Sequence, residues 1–264
     1  MKLLTLNTHS LVEKDWEAKL EILGEAIISE KFDVIALQEV NQPKDETEIW
    51  AEYPIAIKYL LKNGNYMLKL QKILEKYSQN YKSVWCGFKE SYGRYQEGIG
   101  IITRLDLEDI KSVELTKGMK MPQWKRRYAL GIKTASGDFF STHMGWWEDE
   151  EAPFSCQWKE LLSAVDNKKT WIMGDFNCES YKKDESYDLI TSSGFYDSYV
   201  LAKIRDSGFT VCDKIDGWQD EKSKRIDYIF CNFPAYVRSS HTIFNGKNYG
   251  VVSDHFGIAI ETED

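Results

Sequence analysis

Several acidic or amide side chains in this sequence follow directly on short apolar runs. Asn7 comes after Leu3-Leu4-Thr5-Leu6, Glu39 after Val34-Ile35-Ala36-Leu37-Gln38, and Asp175 and Asn177 after Trp171-Ile172-Met173-Gly174. Asp227 stands just before Tyr228-Ile229-Phe230, and Asp254 and His255 just before Phe256-Gly257-Ile258. Short apolar runs of this kind read as buried strands. Each polar group is then at a strand end, at the mouth of a sheet and outside its core. Carboxylate and amide oxygens gathered there suit a hard divalent cation, magnesium or manganese. No cysteine or multi-histidine set is spaced for zinc. A single Asp after a strand is an ordinary cap or turn residue. Its repetition at one strand end after another points to a shared site.

The elements that must position these groups alternate between strand and helix. Strands are expected over Leu3–Asn7, Val34–Leu37, Gly98–Thr103, Val113–Thr116, Arg127–Lys133, Phe139–His143, Thr170–Met173, Ile226–Cys231 and Gly257–Ile260. Helical spacing through Trp16, Leu20, Leu23, Ala26 and Ile27 predicts a helix over Trp16–Ser29. Further helices are expected over Asn65–Tyr77, Phe154–Val165 and Tyr187–Ser192. Asn41 to about Tyr59 is polar, carries prolines and reads as a long loop. There is no internal repeat and no linker. This order fits one α/β domain over residues 1–264, a four-layer α/β sandwich of two packed mixed β-sheets flanked by helices.

Composition narrows the function classes. The chain has 264 residues, 42% hydrophobic and 29% charged, which excludes wholesale disorder, collagen and coiled coil. Its net charge of −8 repels the phosphate backbone of a long nucleic acid, which is therefore a disfavoured partner. The stretch from Lys111 to Lys133 holds seven basic residues and one acidic residue, Glu114, enough to bind a single phosphate locally. Cys86, Cys156, Cys178, Cys212 and Cys231 are odd in number and widely spaced, as expected of reduced thiols. The first apolar run breaks at Asn7, too early for a signal peptide, and no stretch is long enough to span a membrane. A cytoplasmic location without membrane contact is expected.

Leu6-Asn7-Thr8, Leu37-Gln38-Glu39-Val40, Gly174-Asp175-Phe176-Asn177, Arg225-Ile226-Asp227-Tyr228-Ile229 and Ser253-Asp254-His255 resemble the signature blocks of the endonuclease/exonuclease/phosphatase, or DNase I-like, superfamily. That superfamily includes pancreatic-type deoxyribonuclease, apurinic endonucleases, bacterial sphingomyelinases and inositol-polyphosphate 5-phosphatases. The blocks keep the family order across essentially the whole chain. The resemblance implies that Glu39 is the principal magnesium ligand, with Asn7 beside it. It implies that Asp175 and Asn177 position the attacking water and a phosphate oxygen, and that Asp227 supports the metal or phosphate region. His255 would touch the phosphate or act as base, with Asp254 holding its ring and adding to the metal's surroundings. His143 corresponds to a histidine of the deoxyribonuclease and sphingomyelinase branches, and Glu97 to the carboxylate that pairs with it as a general acid. Arg127 matches an arginine facing the phosphate. Such a set meets the demands of phosphate ester hydrolysis, which needs a deprotonated water, a neutralised phosphate and a stabilised leaving oxygen.

Gly145-Trp146-Trp147 directly after His143 is unusual, because indoles at a cleft lip can stack on a sugar face or a base. Trp124 and Trp218 are further candidates, and His9, two residues past Asn7, is expected to line the cleft. With Asn7-Thr8-His9-Ser10, Glu39-Val40-Asn41-Gln42 and Tyr95-Gln96-Glu97-Gly98, this segment resembles a Firmicute subgroup, the maltose 6'-phosphate phosphatases and RgfB-like proteins. The resemblance implies a magnesium-dependent phosphomonoesterase acting on a small sugar phosphate. The alternatives are a metal-dependent nuclease and a regulatory protein on the same fold with little activity.

Overall fold

The computed structural model describes residues 1–77, 80–212 and 223–263; Trp218 lies outside them. In chain order the first half runs β1 (Lys2–Asn7), α1 (Trp16–Glu30), β2 (Val34–Pro43), β3 (Ile55–Ile57), α2 (Tyr66–Lys76), β4 (Lys82–Ser91), β5 (Tyr95–Thr103) and β6 (Asp109–Glu114). Then come β7 (Tyr128–Thr134), β8 (Gly137–His143), α3 (Phe154–Ser163), β9 (Thr170–Asp175), α4 (Ser186–Ser192), β10 (Tyr196–Asp197) and α5 (Ser198–Leu201). The described chain ends with β11 (Ile204–Arg205), β12 (Asp227–Cys231), β13 (Val237–Ile243) and β14 (Gly257–Thr262). One sheet has eight strands in the order β11-β13-β14-β1-β2-β5-β4-β3, and the other six in the order β10-β12-β9-β8-β7-β6.

The strands that carry the site are apolar at successive positions because both of their faces are covered. Leu4, Leu6, Ile35 and Leu37 pack with Leu23 and Ile27 of α1 and Leu70 and Leu74 of α2. The alternate residues Leu3, Val34 and Ala36 turn the other way, against Leu130, Phe139, Trp171 and Met173 of the second sheet. Behind that sheet, Phe140, Ile172 and Phe230 pack with Phe154, Trp158 and Leu161 of α3. Helix, sheet, sheet and helix are the four layers expected from the sequence.

Local departures have local causes. The segment read as a loop after Asn41 continues β2 to Pro43 and contains the short edge strand β3. β6 spans Asp109–Glu114, earlier in the chain than the Val113–Thr116 expectation. β4 and β13, which no sequence pattern announced, interleave charged and polar residues with apolar ones: KSVWCGFKES and VRSSHTI. Near the mouth, the pairing of β2 with β5 shifts register between Leu37 and Val40, and that of β4 with β5 between Gly87 and Lys89. Bulges of this kind re-aim side chains at the ends of strands.

Candidate active site

Strand register brings the polar ends together. Asn7 lies beside Gln38 in the parallel β1–β2 pair, His143 beside Asp175 in the parallel β8–β9 pair, and Asp227 opposite Asp175 in β12–β9. The two sheets meet through one amide: Asn7 Nδ2 donates to Glu39 Oε1 at 2.9 Å and to Asp175 Oδ2 at 3.1 Å. Gln38 fixes the same junction by donating to Ser141 Oγ at 3.1 Å, while that hydroxyl donates to Leu37 O at 3.2 Å. Glu39 sits in the β2 bulge with φ 53°, and Asn177 and His9 also have left-handed backbones, at 48° and 46°. Such conformations are costly for residues with side chains and concentrate at functional sites. Gly174 between Met173 and Asp175 is required, since a Cβ there would collide with the Thr142 carbonyl of the adjacent strand.

These residues open onto a cavity of about 460 Å³ whose surface includes Glu39, His143, Asp175, Asn177 and His255. Asn7 and Asp227, 1% and 0% exposed, are buried beneath it. The β4–β5 hairpin adds Lys89, Ser91, Tyr92 and Glu97; the segment entering β7 adds Trp124 and Arg127. Trp146, His9 and Asp254 complete the wall.

Charge in this cavity is set by burial and by close partners. Burial and the neighbouring Asp227 push the Asp175 carboxyl up to about 7, while Asn7 and the Asn177 backbone N–H, 2.9 Å from Oδ1, limit the rise. Burial opposes a charge on His255. Asp227, 2.9 Å from Nδ1, together with Asp175 and Asp254, overcomes it and holds the ring up to about 10. A ring held there carries its proton at neutral pH. Burial, reinforced by Arg127, Lys89 and His255, drives His143 well below the usual histidine range. Hydrogen bonding agrees: Asn177 Nδ2 donates to Met144 O at 3.0 Å, so the same NH₂ group faces His143 Nε2 at 3.1 Å and that nitrogen is an acceptor.

Three expected partnerships differ. Glu97 does not hold His143; it makes an ion pair with Lys89, Nζ to Oε1 2.7 Å, directly across the β4–β5 pair. His143, neutral and without that carboxylate, does not form the anticipated general-acid pair. The His255 ring is held by Asp227 and not by Asp254, which accepts from Ser253 Oγ at 3.1 Å and lies 3.8 Å from His9 Nδ1. Trp147 packs on Phe154, with ring centroids 6.4 Å apart, in the cluster behind the second sheet, whereas Trp146 lines the cavity. Trp147→Ala is accordingly expected to cost about 1–3 kcal/mol of stability through lost packing, with KM unchanged. Chemical denaturation with parallel kinetics checks this; an altered KM in a fully stable variant would contradict it. His9 lines the cavity as expected, tied by Nδ1 to Glu13 Oε1 at 2.7 Å. Lys89 and Ser91 escaped the sequence reading because β4 was not seen as a strand.

The donor set fits a divalent cation. Burial and then the proximity of Glu97 raise the Glu39 carboxyl above its ordinary range, and Asn7, His9 and Lys89 only partly offset them. Asp227 Oδ1 is buried without a hydrogen-bond partner, and Asp175 and Asp227 offer carboxylate oxygens within 4.8 Å of each other, the charged His255 beside them being no ligand. Glu39 is a carboxylate on the cavity surface, with the Asn7 amide beside it. Amide oxygen and nitrogen are assigned from hydrogen bonding, and exchanging them would offer Asn7 Oδ1 where its NH₂ now meets the two carboxylates.

The likenesses to known proteins agree with this architecture. The chain is similar over 100% of both lengths to an endonuclease/exonuclease/phosphatase family protein from Leptotrichia buccalis, with 32% identity and a TM-score of 0.89. It shares its fold with a mannosyl-6-phosphatase from Bacteroides thetaiotaomicron, at 19% identity, 100% of both chains and a TM-score of 0.69. A 3' phosphatase from Neisseria, bound to a product DNA hairpin, shares it at 16% identity, 100% of both chains and a TM-score of 0.64. No curated protein matches the sequence. No helix among the described residues is long and apolar enough to cross a membrane. The model of the Endonuclease/Exonuclease/phosphatase family matches residues 4–255, and with the site assembled from the same strand ends, the chain belongs to that family, whose members hydrolyse phosphate esters.

Proposed function

We propose that this protein is a magnesium-dependent phosphomonoesterase acting on a small phosphorylated sugar. The observation that carries the reading is Arg127. Its side chain is 4% exposed on the cavity wall, and its Nε has no hydrogen-bond partner. Its guanidinium lies 5.9 Å from the Trp146 ring centroid. A buried guanidinium left without a carboxylate fork is suited to an anion that the protein does not itself contain.

The residues divide the work. Arg127 and the His255 imidazolium bind phosphate oxygens from the cavity wall. Asp175, raised toward neutral pH and anchored by Asn7 and the Asn177 backbone, accepts a proton from the attacking water. Asn177, whose amide bridges Met144 and His143, orients the water or a phosphate oxygen. Glu39 and Asn7 would hold the cation, magnesium by its preference for oxygen ligands, with manganese as substitute. Bound there, it would supply Lewis-acid stabilisation of the developing charge.

The sugar assignment rests on aromatic groups next to the phosphate-binding ones. Trp146 lines the cavity with a buried, unpartnered Nε1, and Trp124, 50% exposed, stands at its rim. The subgroup resemblance, maltose 6'-phosphate phosphatases and RgfB-like proteins, supports a sugar. The fold shared with a mannosyl-6-phosphatase is consistent with it. A cytoplasmic location is consistent with five unpaired cysteines.

A panel of sugar phosphates, phosphodiesters, single-stranded DNA and duplex DNA with magnesium tests the reading. Sugar phosphates are expected to lead in kcat/KM by at least about 10-fold. Plasmid nicking at comparable efficiency would make the protein a nuclease. Trp146→Ala is expected to raise KM for the preferred sugar phosphate about 10-fold or more, from a stacking loss of about 1–3 kcal/mol. Its effect on p-nitrophenyl phosphate should be smaller; equal losses on both substrates would remove the stacking role.

A further inference from the structure

Lys89 is 7% exposed, lies on the cavity wall and makes an ion pair with Glu97 at 2.7 Å. One carboxylate oxygen satisfies one of the three donors of an ammonium group. Ser91, two residues on, leaves β4 on the same face because strand side chains repeat every second residue. Its Oγ is buried and has no hydrogen-bond partner, and Ser91 also lines the cavity. Arg127 Nε, from the opposite sheet, is a further buried donor without a partner on the same cavity. Two orphaned buried donors around a cation mark a place made for a guest with acceptors, since such groups are otherwise satisfied inside a protein.

The kind of guest follows from its terminal oxygens. A phosphomonoester carries about −1.5 to −2 at pH 7 and has three terminal oxygens. A phosphodiester carries one charge and two such oxygens. The Lys89–Glu97 pair is net neutral, so beside Arg127 and His255 it adds donors and not net charge, and an ammonium with a hydroxyl beside it favours the guest with the extra terminal oxygen. Glu97, across the strand pair, fixes where the ammonium stands.

We propose that Lys89, positioned by Glu97 and assisted by Ser91, is a specificity-determining phosphate-binding residue that selects phosphomonoesters over phosphodiesters. This rests on the phosphomonoesterase reading above and assigns its selectivity to the β4–β5 hairpin.

The test uses the double variant Lys89→Met/Glu97→Gln, which removes both charges at nearly constant volume and leaves no buried carboxylate unpaired. Rates are measured on p-nitrophenyl phosphate and bis(p-nitrophenyl) phosphate, with inhibition by inorganic phosphate. The ratio of monoester to diester kcat/KM should fall on the order of 10 to 10²-fold, the scale of one charge-assisted hydrogen bond, and the phosphate Ki should rise alike. Ser91→Ala, a mild change on a partly exposed residue, should raise the phosphate Ki about 3- to 10-fold even if the double variant does not fold. An unchanged ratio and Ki, or an equal loss on both substrates, would overturn the proposal. Preference of the unaltered protein for the diester would instead overturn the phosphomonoesterase reading itself.

Discussion

His255→Ala is expected to lower kcat by at least about 10²-fold, the scale of one positioned proton-bearing group. The ring is buried on the cavity wall, and Asp227, 2.9 Å from Nδ1, keeps it charged. Asp227→Asn retains the shape but replaces an ionic partner with a neutral one. The sign of the pH effect follows. In the parent protein the imidazolium persists until the pH passes about 10, because Asp227, Asp175 and Asp254 outweigh burial. Without the Asp227 charge, burial pulls the pKa down and the imidazolium disappears at lower pH. The alkaline limb of kcat/KM should therefore move to lower pH in Asp227→Asn, and the loss should be larger at pH 9 than at pH 6. His241, on β13 and not on this cavity, is the control, and His241→Ala should be close to silent. Turnover of His255→Ala within about threefold of the parent would remove His255 from the chemistry. An alkaline limb that does not move would remove Asp227 as the source of its charge.

Chelation is the second large effect. EDTA is expected to abolish activity and excess magnesium to restore it, because Glu39 and Asp175 are carboxylates crowded into a buried space and bridged by the Asn7 amide. Glu39→Gln should lower activity by at least about 10²-fold and weaken the response to magnesium, since Glu39 is the cavity carboxylate beside the Asn7 amide that is proposed to hold the cation. The same substitution should leave the protein folded or slightly more stable without metal, because it removes a carboxylate whose ionisation is opposed by burial and by Glu97. Thermal melts with and without magnesium separate the two effects. Stabilisation by magnesium is expected in the parent and should be largely lost in Glu39→Gln. Full activity in EDTA would contradict the metal assignment.

Much of this architecture was legible in the residues. The apolar runs bounded by Asn7, Glu39, Asp175 and Asp227 are strands because their alternate side chains fill two cores, one toward the helices and one between the sheets. Polar groups that terminate such runs have to emerge at a sheet edge. Two strands were less visible: β13 carries Arg, Ser and His among its apolar residues, and the short run Val84–Phe88 of β4 holds a glycine and is flanked by Lys, Ser and Glu. With β4 went Lys89 and Ser91.

Most of the chemical groups at the mouth of the sandwich are legible in the order of residues, Lys89 and Ser91 excepted. Which group touches which was decided only by the tertiary structure. Asp254 is next to His255 in sequence, yet the ring is held by Asp227, 28 residues away, because neighbouring side chains on a bent segment leave the backbone in different directions. Trp146 and Trp147 part for the same reason, one to the cavity and one to Phe154. Glu97 meets Lys89 because the bulge between Gly87 and Lys89 sets the register of β4 on β5. Hydrogen bonds and ion pairs reach only about 3–4 Å, so a register shift of one residue, about 3.3 Å along a strand, exchanges one partner for another. Hydrophobic patterning, repeated over many residues, tolerates such shifts in its signal; a pair of charged atoms does not.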